Sequence, residues 1–189
     1  MKILTMKFGG TSVADIDRIR AVRDIICDEV KDGWNVVAVV SAMSKETNKL
    51  IDLAKQVGVE SLVDPEYDSL ISTGEDVSSS LLAIALNSIA ISSRSWRGWQ
   101  LPVKTDSFHS NAKIEEIETR KILTNFKEGI KVAVVSGFQG IEQSGRITTL
   151  GRGGSDTSAV AIAAAIDAER CDIYTDVSGI YTTDPRIKK

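Results

Sequence analysis

The chain has 189 residues, 42% of them hydrophobic and 26% charged, a composition typical of one globular domain and unlike that of a disordered or fibrous protein. Its formal net charge is −3, and only 5% of its residues are aromatic. These values argue against bulk electrostatic binding to nucleic acid or to an anionic membrane, and against a base-stacking platform. We therefore expect no nucleic acid or membrane partner, while a local cationic pocket for a small anion remains compatible with the composition.

Cellular location is predicted from the apolar segments and the cysteines. No segment approaches the roughly 20 consecutive apolar residues that a membrane-spanning helix needs, and the first residues lack a secretion signal pattern. Cys27 and Cys171 are far apart, with neither a CxxC pair nor a nearby histidine, so neither a disulfide framework nor a zinc site is indicated. We expect a cytoplasmic protein. His109 is the only histidine, which limits any mechanism that needs a histidine base.

The first half of the chain alternates between the hydrophobic periods of strands and helices. In chain order the pattern predicts a strand at 3–8, a helix from Ile16 that Gly33 ends, a buried strand at 36–40, a helix carrying Leu50, Leu53, Ala54 and Val57, and a long helix from Asp64-Pro65 to about Ala90 that is interrupted near Gly74.

The second half continues this alternation. It predicts irregular structure or short strands at 94–109, a helix marked by Ile114, Ile117, Lys121 and Ile122 and ended by Gly129, a strand at 132–141, a hairpin turn at Ser144-Gly145 into 146–150, a helix at 155–168, and a last strand at 172–177. Strands that alternate with helices predict an α/β layer fold with a mostly parallel sheet.

The first of three glycine-containing turns after strands is Lys7-Phe8-Gly9-Gly10-Thr11-Ser12. Two glycines let the backbone approach an anion closely, and the N-terminus of the following helix is expected to point N–H groups at it. Lys7 adds a full positive charge. The alternative is a tight strand-to-helix turn with a solvated lysine.

The second turn, Leu150 to Ser158, surrounds Arg152 with glycines, and Ser155 is predicted to cap the following apolar helix. An arginine in such a turn suits a bidentate grip on a carboxylate or phosphate. The pattern matches neither the dinucleotide fingerprint nor the Walker-type phosphate loop. A glycine-rich exit from a hairpin is the alternative.

The third turn, Tyr174 to Arg186, carries acidic and hydroxyl residues around Gly179. Such a loop could hold the ribose and base of a nucleotide, with Tyr181 as an apolar wall. Asx-turns alone could equally account for Asp176 and Asp184.

Together, the motifs resemble the aspartate kinase branch of the amino acid kinase family, in order and over essentially the whole chain. The matching segments are KFGGTSV at 7–13, VVSAMS at 39–44 with TN at 47–48, STGE at 72–75, GFQG at 137–140, TTLGRGGSDTSA at 148–159 and YTDVSGIYTTDPR at 174–186. The resemblance implies a three-layer α/β/α sandwich with a mostly parallel central sheet. It also implies one kinase domain, in which about 1–135 form the amino-acid-substrate part and about 136–189 begin the nucleotide-binding part.

The activity that the resemblance implies is transfer of the γ-phosphoryl group of Mg-ATP to the side-chain carboxylate of L-aspartate. The product is 4-phospho-L-aspartate, in the first step towards lysine, threonine, methionine and diaminopimelate. Because the acceptor carboxylate is already ionised at neutral pH, no general base is required. Catalysis then consists of positioning and charge neutralisation.

The site residues are also implied by the resemblance. Lys7 and Asp156 are the catalytic pair, with Asp156 orienting Lys7. The residues expected to bind ATP or its phosphates are Lys7, Gly9, Gly10, Ser41, Thr175, Asp176, Tyr181 and Arg186. The residues expected to bind the amino acid are Thr47, Glu75 for the α-amino group, Arg152 for a carboxylate, Gly153, Gly154 and Ser155. Magnesium is expected to be held mainly by ATP oxygens, with no metal ligand on the protein.

The sequence also departs from the family. The family's kinase domain continues beyond the DPR motif with a Gly-Ala-Lys segment that reaches the nucleotide, and regulatory ACT domains follow. Neither is present here, so we expect a C-terminally incomplete kinase domain. Three alternatives stay open: an inactive remnant that still binds Mg-ATP or aspartate, a non-enzymatic assembly subunit that pairs with a separately encoded C-terminal half, and a family member that phosphorylates glutamate, acetylglutamate or a nucleoside monophosphate. Whether the chain forms a homo-oligomer stays open as well.

Overall fold

A parallel sheet forms the centre of the protein in a computed structural model, which describes residues 1–59 and 63–175. The strands are β1 (Ile3–Phe8), β2 (Asn35–Val40), β3 (Ser93–Trp96), β4 (Val103–Thr105), β5 (Ile114–Ile117), β6 (Val132–Ser136), β7 (Gln139–Ile141), β8 (Ile147–Thr149) and β9 (Arg170–Tyr174). The helices are α1 (Ile16–Lys31), α2 (Glu46–Val57), α3 (Pro65–Ile71), α4 (Thr73–Asn87), α5 (Arg120–Lys127) and α6 (Gly154–Ala165).

The central sheet has the strand order β3-β6-β2-β1-β9, and every neighbouring pair is parallel. Because all its strands point the same way, their carboxyl ends lie at one edge of the sheet. Open α/β sheets bind ligands at this edge. The residues that follow β1, β2, β6 and β9 are therefore brought together there.

Side chains alternate between the two faces of this sheet and divide the core into two layers. Leu4, Met6 and Phe8 of β1 pack in one cluster with apolar side chains of α1 and α4. Ile3 of β1 packs in the other cluster, with α5 and α6. Helices thus cover both faces, and the expected three-layer α/β/α sandwich with a mostly parallel central sheet is confirmed.

A second, smaller sheet has the order β5-β4-β7-β8 and is mainly antiparallel. The single strand predicted at 132–141 is wrong, because β6 ends in the central sheet and β7 begins in this one. Phe138 lies between them with a φ of 68°, a left-handed conformation that breaks the strand. The predicted hairpin through Ser144-Gly145 is confirmed, since β7 pairs with β8 in antiparallel register.

The segment at 114–117 is a strand, so the helix predicted from Ile114 begins too early. The spacing of Ile114 and Ile117 also fits a helix face, but Val103 pairs with Ile117 in an antiparallel ladder with β4. The helix α5 starts only at Arg120. Tertiary pairing therefore overrides the local periodicity here.

The helix predicted from Asp64-Pro65 begins as expected, because the Asp64 side chain accepts hydrogen bonds from the N–H groups of Glu66 and Tyr67. Its interruption occurs at Ser72, which divides it into α3 and α4. Ser155 lies inside α6 and Gly153 is the N-cap, so the predicted Ser155 cap is wrong. Among the described residues, no helix is both long and apolar enough to cross a membrane.

Candidate active site

A cleft of about 820 Å³ lies at the carboxyl edge of the central sheet. It is lined by all the sequence-predicted site residues that the structure describes: Lys7, Gly9, Gly10, Ser41, Thr47, Glu75, Arg152, Gly153, Gly154, Ser155, Asp156 and Thr175. Asp176, Tyr181 and Arg186 lie outside the described residues. Segments that are up to 168 positions apart in the numbering, from Lys7 to Thr175, thus meet in one place.

Lys7 and Asp156 form an ion pair inside this cleft. The Lys7 Nζ lies 2.8 Å from the Asp156 Oδ1, and the Lys7 side chain is 10% exposed while that of Asp156 is 49% exposed. Lys7 is the second-last residue of β1, and Asp156 lies in the first turn of α6. The pair holds the lysine charge at the sheet edge, with the carboxylate half open to solvent.

The helix N-termini at the cleft differ from those expected. The helix after the Gly9-Gly10 turn starts only at Ile16, where the Asp15 side chain already accepts a hydrogen bond from the Arg18 N–H. The prediction that this helix points N–H groups at the anion is therefore wrong, because Asp15 caps it. Instead, α2 and α6 begin at the cleft, and neither N-terminus has a side-chain cap. Such ends carry partial positive charge and attract anions.

Glu75 is a buried carboxylate in the cleft wall, with an exposed fraction of 3%. Its Oε1 accepts a hydrogen bond from the Ala42 N–H at 3.0 Å, whereas its Oε2 is buried and receives none from the described residues. Burial raises the pKa of Glu75 to about 7. Glycine at 74 permits this packing, because a Cβ there would stand 2.8 Å from the Cβ of Ala42.

A partly buried polar network fixes the start of α4 next to Glu75. The Asp76 carboxylate pairs with the Arg97 Nε at 3.0 Å, and it accepts hydrogen bonds from the Ser136 hydroxyl at 3.0 Å and the Gln139 side-chain amide at 3.2 Å. These contacts tie α4 to the β3–β4 connection, to β6 and to β7. The Glu75 carboxylate is thereby held on a rigid element.

The turn that carries Arg152 connects β8 to α6 and lines the cleft. Gly151 and Gly153 both have a φ of 73°, which a residue with a side chain rarely adopts, so glycine suits both positions. Arg152 is exposed, and no hydrogen bond or ion pair to another described residue holds its guanidinium. Its five N–H donors are available to a carboxylate or phosphate.

Several residues that line the cleft were not predicted: Lys45, Asn48, Tyr67, Ser110 and Phe138. Lys45 adds a third cationic side chain to the described lining, beside Lys7 and Arg152. Phe138 lies in the GFQG motif after β6, so its place after a buried strand was an available signal. Tyr67 and Ser110 had no such signal, because they reach the cleft from segments outside the motifs.

The described lining therefore combines three cationic side chains, two uncapped helix ends and the carboxylates of Glu75 and Asp156. Such a set can hold anionic groups and, at the unpaired Glu75 oxygen, an ammonium group. Fold and cleft together define an α/β protein whose site at the sheet edge suits an anion beside an amino group.

Comparison with known proteins agrees with this class. The amino acid kinase family model matches residues 2–189, and the chain belongs to the amino acid kinase family. An aspartokinase of Bacillus sp. (strain MGA3) is 53% identical over 189 residues, which are 100% of this chain and 46% of that protein. The chain thus spans about half the length of the curated relatives it matches.

Solved structures resemble this fold as well. The crystal structure of aspartate kinase from Synechocystis has a TM-score of 0.78 and 46% identity, covering 97% of this chain and 30% of that one. E. coli aspartokinase III, in complex with aspartate and ADP, has a TM-score of 0.83 and 29% identity, covering 98% of this chain and 52% of that one.

Proposed function

We propose that this chain transfers the γ-phosphoryl group of Mg-ATP to the side-chain carboxylate of L-aspartate, giving 4-phospho-L-aspartate. The observation that carries the proposal is one cleft with the Lys7–Asp156 ion pair, a Glu75 carboxylate with one hydrogen-bond donor and an Arg152 guanidinium that is unpaired within the described part of the chain. The aspartate and ADP bound to E. coli aspartokinase III support both substrates.

The chemical problem in this reaction is repulsion between two anions. The aspartate side chain is ionised at neutral pH and needs no base, so the enzyme must bring a carboxylate and a phosphate together. In our proposal Lys7 neutralises the transferring phosphoryl group, and Asp156 orients the Lys7 Nζ at 2.8 Å. The Gly9-Gly10 turn gives the phosphates close access to the backbone. The uncapped starts of α2 and α6 add positive potential.

Recognition of aspartate rests on complementary charges. Glu75 binds the α-amino group, because its Oε2 lacks a donor among the described residues and an ammonium group supplies one. Arg152 binds a carboxylate of the substrate, and Thr47 and Ser155 supply hydroxyl groups in the same cleft. The Gly153-Gly154 backbone completes this side of the site. An ammonium bound at Glu75 also favours the ionised carboxylate over the protonated one.

The nucleotide side comprises Ser41 and Thr175 in the cleft, and Asp176, Tyr181 and Arg186 beyond it in sequence. We assign most of the amino-acid part to about 1–135 and the start of the nucleotide part to about 136–189. Within residues 1–59 and 63–175, no group of three or more acidic, histidine or cysteine side chains is placed to hold a metal ion. In our proposal Mg²⁺ is carried mainly by ATP oxygens and water. Such an ion neutralises phosphate charge.

The wider role follows from the product. Phosphorylation activates the aspartate side chain for later reduction or acyl transfer, and our proposal includes its use towards lysine, threonine, methionine and diaminopimelate. A cytoplasmic location is part of the same proposal, and the free thiols of Cys27 and Cys171 support a reducing compartment.

The test is ATP-dependent formation of aspartyl hydroxamate from L-aspartate and hydroxylamine. We expect Lys7→Ala and Asp156→Ala to lower turnover by about a hundredfold or more, because the first removes the positive charge at the reacting phosphate and the second removes the group that orients it. The matched controls are Lys31→Ala and Asp28→Ala, which break an exposed pair on α1 with the same Nζ–Oδ1 distance of 2.8 Å. These controls should retain full activity.

The outcomes separate the alternatives. Full activity in both cleft variants contradicts the mechanism. Thermal stabilisation by Mg-ATP or aspartate without turnover supports a ligand-binding remnant, and turnover only after mixing with a separately encoded C-terminal half supports partner dependence. A preference for glutamate, acetylglutamate or a nucleoside monophosphate over aspartate in a substrate panel assigns another reaction of the family.

A further inference from the structure

Asp68 of α3 is a fully buried carboxylate that lies outside the cleft lining. Its exposed fraction is 0%, and five donors from three residues hydrogen bond to its two oxygens. His109 contributes its Nδ1 at 2.9 Å. Ser110 contributes its N–H and hydroxyl, and Thr149 its N–H at 2.9 Å and its hydroxyl at 2.7 Å. One carboxylate thus binds two separate segments of the chain, 109–110 and the end of β8.

Both segments contribute to the wall of the cleft on the Arg152 side. Thr149 is the last residue of β8, and the turn that carries Arg152 starts at the next residue. Ser110 lines the cleft itself, and a Cβ at Gly151 would stand 3.2 Å from the Ser110 carbonyl oxygen. The Ala112 N–H also donates to the Thr149 carbonyl at 2.9 Å. The 110–112 segment and the start of the turn therefore share one anchor.

Arg152 depends on this anchor because no described residue holds its guanidinium. The position of the side chain is set by the backbone of its turn. On one side, the turn is continuous with α6, where the Asp156 N–H donates to the Gly153 carbonyl at 3.0 Å. On the other side it is continuous with β8, whose end is held by Asp68.

We propose that Asp68 is a positioning residue for the carboxylate-binding side of the cleft. It fixes the end of β8 and the Ser110 segment, and this holds the backbone of the Arg152 turn in the position from which Arg152 binds the anionic group of the substrate. The inference rests on the proposed function, since that function assigns Arg152 to a carboxylate of aspartate. Among the described residues, the hydrogen bonds to the Asp68 carboxylate come from His109, Ser110 and Thr149, so we expect binding on the nucleotide side not to depend on it.

The primary variant is Thr149→Val, which removes one donor to Asp68 and keeps the shape of the side chain. Thr149→Ser restores the hydroxyl and is the rescue variant. Thr148→Val is the matched control, because Thr148 is the neighbouring residue of β8, equally buried at 0% exposure. Its hydroxyl hydrogen bonds to that of Thr105 at 2.6 Å and does not contact Asp68.

Asp68→Asn is the second variant. It replaces one acceptor oxygen by an amide that faces N–H and O–H donors, so it tests the carboxylate directly. If it fails to fold, Thr149→Val still decides the question.

Two measurements are made on the full chain: calorimetric titration with L-aspartate and with Mg-ADP, and hydrogen exchange of the amides at 150–154. We expect Thr149→Val to raise the Kd for aspartate about tenfold and to leave the Kd for Mg-ADP within about twofold. Exchange at 150–154 should accelerate about tenfold. Thr149→Ser should restore both values, and Thr148→Val should change neither.

Unchanged aspartate affinity and unchanged exchange in Thr149→Val overturn the inference, as does an equal effect of Thr148→Val. If the unsubstituted chain binds no aspartate, the proposed function fails, and the exchange data still decide whether Asp68 positions the turn. Equal weakening of aspartate and Mg-ADP binding assigns a general structural role and also overturns the inference.

Discussion

Asp68 and Glu75 are two buried carboxylates seven positions apart on consecutive helices, yet their surroundings are opposite. Asp68 receives hydrogen bonds from five donors, so both of its oxygens are satisfied within the protein. Glu75 has one donor from Ala42, and its Oε2 has none among the described residues. Burial is nearly the same, and the supply of donors is what differs.

In our proposal this difference in donors separates a structural carboxylate, Asp68, from a ligand-binding one, Glu75. A buried charge without enough donors lowers stability, and a protein retains such a group where a ligand completes it. A carboxylate with all its donors contributes to the fold and has little capacity left for a ligand. The same residue chemistry therefore has two roles, and the number of donors indicates which.

The largest expected effect is on stability at Asp68. Asp68→Ala leaves five buried donors without their acceptor, so we expect the free energy of unfolding to fall by about 3–5 kcal/mol. Urea denaturation measures it. Asp52→Ala on the exposed face of α2 is the control and should cost less than about 0.5 kcal/mol. A loss below about 1 kcal/mol in Asp68→Ala would contradict the structural role.

The next effect is on ligand affinity at Glu75. Glu75→Gln keeps an acceptor for the Ala42 N–H but removes the charge that pairs with the ammonium group. We expect the Kd for L-aspartate to rise about a hundredfold, with no loss of stability. Titration calorimetry measures the affinity, and Glu66→Gln at an exposed carboxylate is the control. Unaltered aspartate binding would remove Glu75 from the site.

A smaller effect is the pH dependence that Glu75 imposes on stability. Because its pKa is raised from 4.5 to about 7, the folded state keeps a proton that the unfolded state releases between these values. Stability from this group is therefore present at low pH and is lost as the pH rises through about 7. At pH 8 the free energy of unfolding, measured in urea, should be roughly 1–3 kcal/mol higher for Glu75→Gln than for the unsubstituted chain. Near pH 4.5 this difference should be much smaller. A difference that does not vary with pH would show that Glu75 titrates normally.

The smallest effect concerns a neutral hydrogen bond beside Glu75. The Ser78 hydroxyl donates to the Ser41 carbonyl at 2.7 Å and so joins α4 to the residue that follows β2. Ser78→Ala should lower the free energy of unfolding by about 1 kcal/mol. Ser88→Ala, which removes an exposed hydroxyl bond to Ala85, serves as the comparison and should cost about half as much or less. If thermal or urea unfolding showed equal losses of stability in the two variants, the buried hydrogen bond would contribute no more than the exposed one.

Much of the fold could be predicted because local patterns report burial directly. The run Val36–Val40 is apolar and consists of β-branched valines around one alanine, and it is a strand covered on both faces. Asp64-Pro65 has the chemistry of a helix start, and α3 begins there. Elements of this kind depend on interactions within a few residues, which the sequence displays.

Other elements depended on distant neighbours. The segment Ile114–Ile117 is a strand because β4 pairs with it, and the break at Phe138 exists because two sheets meet there. In the cleft, Lys45 and Ser110 were missed for the same reason, since their chemistry is ordinary and only their location gives it meaning.

Lys7 and Arg152 could be nominated from the residues alone, because charged groups in glycine-containing turns after strands can be recognised in the sequence. Glu75 and Asp156 were nominated by the resemblance to the family. Only the tertiary structure decided that the Asp68 carboxylate has all its hydrogen-bond donors within the protein, whereas one oxygen of Glu75 has none among the described residues. The donors to Asp68 come from positions 41, 42 and 81 residues away, and such hydrogen bonds form only when the packed layers bring those segments together.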